Sequence, residues 1–148
     1  MRVTMRTPSP GELAWINARY REIDFLPCAP QDAVVVAEVD GKPAALGRIV
    51  AIAGRVGELG GMVVFDEFRG AGLAKAIIAR LLDTRKYDHL YCLPFGKLEA
   101  LYASFGFRRV TDLAGVPAKV REKFQWCASF YPEPVLLMEL ALAATTWK

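Results

Sequence analysis

Residues 58–83 read ELGGMVVFDEFRGAGLAKAIIARLLD, and a chain with this run at its middle has few ways to fold. Leu59 to Phe65 is an apolar run of strand length with two glycines inside it, and Asp66-Glu67 turns a corner. Arg69-Gly70-Ala71-Gly72-Leu73-Ala74 follows as a turn rich in tiny residues. From Leu73 onward the apolar residues Leu73, Ala74, Ile77, Ile78, Leu81 and Leu82 recur at three and four, while Lys75, Arg80 and Asp83 fall off that stripe. The pattern predicts strand, glycine turn and amphipathic helix. A helix begins with unpaired backbone N–H groups at the positive end of its dipole, and glycines there let an anion approach them. The stretch is therefore either a phosphate cradle or a plain corner of an α/β protein.

Two common phosphate motifs do not fit. The Walker loop ends in Gly-Lys-Ser/Thr, which Ala71-Gly72-Leu73 does not supply. The dinucleotide fingerprint wants a third small residue where Lys75 stands.

The chain has 148 residues, enough for one domain with a substantial core, and a single domain over 1–148 is expected. Hydrophobic residues make up 53%, which suggests a heavily buried sheet or an apolar interface, so a homodimer is a candidate assembly. The apolar runs are far shorter than the roughly 20 residues of a membrane span, and MRVTMRTPSPGEL has no apolar signal core. Cys28, Cys92 and Cys127 show no metal-ligand spacing. A cytoplasmic protein with reduced thiols, no metal and no membrane partner is expected. The net charge of +3 is too small to argue for nucleic acid. Residues 1–74 hold 8 basic and 9 acidic side chains and residues 75–148 hold 11 and 7, so −1 against +4. That excess suits a polyanionic cofactor or an ordinary solvated surface.

Before the central stretch, Val3 to Thr7 reads as a strand, and Ser9-Pro10 with Glu12 opens a helix marked by Leu13, Ile16, Ala18, Tyr20 and Ile23. Ala33 to Val39, an Asp40-Gly41 turn, Pro43 to Ala53 and Glu58 to Phe65 predict a three-stranded meander. After it, Tyr87 to Leu93 reads as a strand, and Leu98, Leu101, Tyr102 and Phe105 fit a short helix stopped by Gly106. Phe107 to Val110 begins a strand, Pro117 to Phe130 reads as an irregular helical stretch, and Val135 to Leu142 closes the chain as a strand.

Arg69, Gly72 and Ala74 satisfy Arg/Gln-x-x-Gly-x-Gly/Ala, which resembles the acetyl-CoA pyrophosphate loop of the GNAT superfamily of N-acetyltransferases. Met62-Val63-Val64 resembles the strand before that loop, and Leu101-Tyr102-Ala103-Ser104-Phe105-Gly106-Phe107 resembles the family's LYxxxGF helix, in the expected order. The resemblance covers nearly the whole chain. It implies an α+β fold, a GNAT-like α/β arrangement. The implied sheet is mixed and mostly antiparallel, of about six to seven strands, with helices on both faces and strands four and five splayed. It implies acetyl-CoA as co-substrate and an amine of a small molecule or peptide as acceptor. Backbone groups at Met62 and Val64 would pair with the pantetheine, one amide polarising the thioester. Amides of Gly70, Ala71, Gly72, Leu73, Ala74 and Lys75, with Arg69, would hold the pyrophosphate. Tyr102 would protonate the departing sulfur or, on the plainer view, only pack. Glu58 stands where some members carry a strand-four base; it could equally face solvent at a strand start.

Phe95 departs from the pattern, because many members have Asn seven residues before the tyrosine. His89 is read as structural, and Trp15, Trp126 and Tyr131 as core or, alternatively, as acceptor lining. The acceptor regions implied are 11–32 and 112–134, which contain Glu12, Glu22, Asp24, Asp32, Glu122 and Glu133. Two other readings remain: a non-catalytic acyl-CoA-binding or regulatory module of the same fold, and an α/β domain with no CoA site.

Overall fold

The computed structural model describes residues 1–84 and 86–142. Its strands are β1 (Val3–Arg6), β2 (Ala33–Val39), β3 (Lys42–Ala53), β4 (Val56–Val64), β5 (His89–Cys92), β6 (Arg108–Arg109) and β7 (Met138–Ala141). The helices are α1 (Leu13–Glu22), α2 (Leu73–Leu82), α3 (Glu99–Ala103) and α4 (Ala118–Phe130). The hydrogen-bonded order is β1-β2-β3-β4-β5-β7-β6, a mixed seven-stranded sheet of the expected class. β5 lies parallel to β4 through Val56↔His89, Gly57↔Leu90 and Glu58↔Tyr91. That ladder ends at Glu58 although β4 continues to Val64, which is the expected splaying of strands four and five.

By their internal packing the residues form two compact units, Met1–Val50 with Gly61–Thr84, and Ala51–Gly60 with the described residues from 86 on. In the first unit β1, β2 and β3 form an antiparallel meander. Its β2–β3 turn places Asp40 and Gly41 at φ 50° and 82°, as a two-residue hairpin of this twist requires. Ile16 and Tyr20, one turn apart on α1, pack with Val34, Val36, Leu46 and Phe65. Neighbouring residues of β3 face opposite ways: Arg48 stacks on Tyr20 of α1, whereas the α-carbon of Gly47 faces Ile77 and Leu81 of α2. The two helices therefore cover opposite faces of this part of the sheet.

Gly47 sets how closely α2 lies on β3. A Cβ there would collide with Ile77 Cγ2 and stand 3.1 Å from Met62 Cε and 3.3 Å from Leu81 Cδ1. Gly47→Ala is expected to cost about 1–3 kcal/mol through overpacking, a fall of roughly 2–4 °C in the thermal midpoint per kcal/mol. An unchanged midpoint in a melting experiment would mean that α2 can shift without loss.

In the second unit, β7 pairs antiparallel with both β5 and β6, and Tyr91, Val116, Val120 and Leu137 form a core. α4 is one regular helix of 13 residues where the sequence reads as irregular. Its polar residues hide the pattern, but Val120 and Cys127 are its buried face. The closing strand is shorter than expected, Met138–Ala141, with Val135 held by an isolated bridge to Phe95.

Candidate active site

β4 delivers its C-terminal half to the glycine turn by way of a distortion. Gly61 has φ 59° inside the strand, a value that L side chains rarely adopt. A side chain is doubly excluded there, since a Cβ would lie 2.8 Å from both Arg48 Nε and Tyr20 Oη. The Tyr20 hydroxyl donates to the Gly61 carbonyl at 2.7 Å. Met62 and Val64 follow directly, and the Phe65 amide closes on the Ala44 carbonyl at 2.9 Å.

The chain then makes a single 3-10 turn, Asp66–Phe68, and enters the glycine turn with Gly70 at φ 85° and Gly72 at φ 74°. Gly72 is the N-cap of α2 in a left-handed conformation, and among the described residues no side chain caps the helix. The first α2 amide to bond back is Ala76, to the Gly72 carbonyl at 3.2 Å. The amides of Leu73, Ala74 and Lys75 thus precede the first intrahelical bond. Apart from the adjoining chain, no atom of the described residues lies within 4 Å of where a Cβ of Gly70 or Gly72 would stand, so the turn leaves these amides approachable. Buried Leu73, Ile77, Ile78 and Leu81 anchor the helix behind them, and Lys75 is exposed. Arg69 is exposed and paired with Asp66 at 2.9 Å. This arrangement fits a pyrophosphate: free amides at a helix start, two side chains absent, and cations on the rim.

Glu58 and Tyr102 belong to the second unit. Glu58 is 5% exposed, and its Oε2 accepts from Lys123 Nζ at 2.8 Å. The solvent-facing alternative for Glu58 is thereby ruled out, and a partner appears that the sequence reading missed. The signal was present in α4, where Val120, Lys123 and Cys127 share one helix face and two of the three are buried. Tyr102 is buried and meets Phe107 edge-on, with ring centroids 5.7 Å apart. Burial pushes its phenol well above the usual range, with a smaller contribution from Cys92. The Cys92 thiol is itself raised, mainly by burial and then by Glu58.

The remaining candidates divide clearly. Phe95 packs edge-on against Tyr131 at 5.4 Å, so the position where many relatives carry Asn is aromatic and apolar here. His89 Nε2 lies 3.0 Å from Glu139 Oε1 across the β5–β7 ladder, a structural placement, though not a partnerless one. Trp15 packs on the first unit's core, but Trp126 is 48% exposed and stacks on Phe130, which corrects its reading as core. Among the acids, Glu12 takes two hydrogen bonds from Arg6 and one from the Ser9 amide. These hold its carboxyl down at about 2. Glu22 pairs with Arg19, Glu133 with Lys97, and Asp32 accepts from the Ala29 amide. Glu122 is exposed. Among the described residues no three His, Cys, Asp or Glu side chains group as metal ligands, and no helix is long and apolar enough to cross a membrane.

The same architecture occurs in known proteins. N-acetylglutamate synthase from Neisseria gonorrhoeae, complexed with coenzyme A and N-acetyl-glutamate, matches with a TM-score of 0.72 at 16% identity. The match covers 96% of this chain but 35% of the synthase, so the chain spans about a third of that protein's length. The ribosomal-protein-S18-alanine N-acetyltransferase from Escherichia coli matches at 0.70 and 16% identity, covering 98% and 97% of the two chains. Spermidine N-acetyltransferase from Vibrio cholerae, a dodecamer, matches at 0.69 and 17%, covering 95% and 94%. No curated protein matches by sequence comparison. The family model described as an acetyltransferase (GNAT) domain matches residues 30–109, from β2 through β6, and so takes in β4, the glycine turn and α3. With more than half its length under that model, this chain belongs to the GNAT acetyltransferase family.

Proposed function

We propose that the protein, as one acyltransferase domain over 1–148, transfers an acetyl group from acetyl-CoA to a primary amine of a small molecule or peptide. The observation that carries this reading is the glycine turn at the start of α2, with Gly70 and Gly72 in conformations that leave the amides of residues 73–75 approachable. Amides from Gly70 to Lys75, assisted by Arg69, hold the pyrophosphate. Backbone groups of Met62 and Val64 pair with the pantetheine arm as a neighbouring strand would, and the Met62 amide polarises the thioester carbonyl. Glu58 takes a proton from the acceptor amine, directly or through water, and Tyr102 donates to the departing sulfur. The family relation supports the donor, and the amine substrates named for the S18-alanine and spermidine enzymes of the same fold support the acceptor class. The setting proposed is the cytoplasm.

The first test is thermal unfolding with acetyl-CoA, where one hundred times the dissociation constant should add roughly 2.7 kcal/mol. Gly72→Val forces a β-branched residue into a left-handed conformation at a cost of about 1–2 kcal/mol and is expected to abolish the cofactor-induced shift. No shift for the unaltered protein at millimolar acetyl-CoA would sink the reading. A shift without CoA release across a broad amine panel would instead favour a non-catalytic acyl-CoA-binding module.

A further inference from the structure

Tyr20 has no part in the scheme above, yet it holds the peptide on which that scheme depends. Its side chain is fully buried, and burial pushes its phenol above the usual range. It therefore stays protonated and meets the Gly61 carbonyl, which can only accept, at 2.7 Å. In a trans peptide the carbonyl oxygen of one residue and the N–H of the next lie in one plane and point in opposite directions. Fixing the Gly61 oxygen thus fixes the direction of the Met62 N–H, away from Tyr20. Donation to that oxygen also polarises the peptide and makes its N–H a stronger donor.

The surroundings point the same way. Gly61, at φ 59°, is the kind of residue whose flanking peptides rotate most easily, so an amide beside it needs an external latch. Tyr20 is braced in turn: the Arg48 guanidinium lies 4.5 Å over its ring, and Phe25 stacks at 6.1 Å. Arg48 is 4% exposed, and its hydrogen bond goes to the Cys28 sulfur at 3.1 Å. A buried guanidinium, spent on a ring face and a thiol, stabilises the tyrosine that orients the strand distortion.

We infer that Tyr20 is a positioning residue for acetyl transfer, which aims and strengthens the Met62 amide through the Gly61 carbonyl. The inference rests on the reading in which that amide polarises the thioester. A plainer account, in which the hydroxyl merely finds the nearest carbonyl, predicts a stability effect alone.

Acetyl-CoA labelled with carbon-13 at the thioester carbonyl separates the two by infrared difference spectroscopy, without an acceptor. Bound to the wild-type protein, the carbonyl band is expected below its frequency in free acetyl-CoA. In Tyr20→Phe it is expected to return at least half of the way. Where Tyr20→Phe does not fold, 3-fluorotyrosine at position 20 keeps the shape and donates more strongly, and should lower the band further. A lowered wild-type band left unmoved in either variant overturns the role of Tyr20 while leaving the reading intact. Binding with an unshifted wild-type band removes the role of Met62 and that of Tyr20 together. Absence of binding overturns the reading and the inference with it.

Discussion

Tyr102→Phe is expected to lower turnover roughly 10²-fold, the lower end of what general acid catalysis supplies. The ring and its edge-on contact with Phe107 remain, so the loss should arise without unfolding and with little change in the KM for acetyl-CoA. The effect is held to the low end for a physical reason. Burial keeps the phenol protonated throughout the working pH range, so the donor is always present. The same burial makes it a weaker acid than an ordinary thiol, of which the cysteine side chain at about 8.5 is the reference, so complete proton transfer to a thiolate runs uphill. What Tyr102 can give cheaply is a hydrogen bond to sulfur as negative charge develops there. A thioester with a more acidic thiol needs that bond less, so the gap between wild type and Tyr102→Phe should narrow with such a donor. Equal turnover in the two proteins, with the natural donor, would reduce Tyr102 to a packing residue.

The candidate residues of the two units were not equally readable in the amino-acid sequence. The glycine turn was legible because it rests on local rules: chirality restricts positive φ largely to glycine, and the three-four spacing of Leu73, Ile77, Ile78 and Leu81 fixes which side of α2 is buried. The antiparallel meander was legible through its Asp40-Gly41 turn, whereas the insertion of β7 between β5 and β6 was not. Lys123 was not, because its bond to Glu58 joins residues 65 positions apart and depends on how α4 packs. Tyr20 was read only as one of the residues marking the first helix, and its bond to the Gly61 carbonyl spans 41 positions and ends on a backbone atom, which leaves no trace in side-chain pattern. Gly61 itself was visible only as one of two glycines in an apolar strand. Which of the two takes the positive φ is not written in the local pattern, and the crowding of the Gly61 α-carbon by Arg48 and Tyr20 is a tertiary fact.

Glu58→Gln is expected to reduce turnover by roughly 10²-fold as well, and the ion pair with Lys123 makes the reason testable. A carboxylate 5% exposed and paired at 2.8 Å is as well placed to be a fixture of the fold as to be a base. To act as a base it must exchange its partner: an incoming amine displaces the Lys123 ammonium, which at 27% exposure is partly open to water. Lys123→Met leaves the carboxylate uncompensated and should destabilise the protein by about 1–3 kcal/mol, less than a fully buried pair would cost. Below its unfolding midpoint, that variant should turn over at or above the wild-type rate, since Glu58 is then released from its competitor. Glu58→Gln with Lys123→Met removes both charges together and should recover much of the stability lost in Lys123→Met. The double variant decides between the roles. Turnover that stays low while stability returns identifies Glu58 as the proton acceptor; turnover that returns with stability would show the pair to be structural and place the base elsewhere.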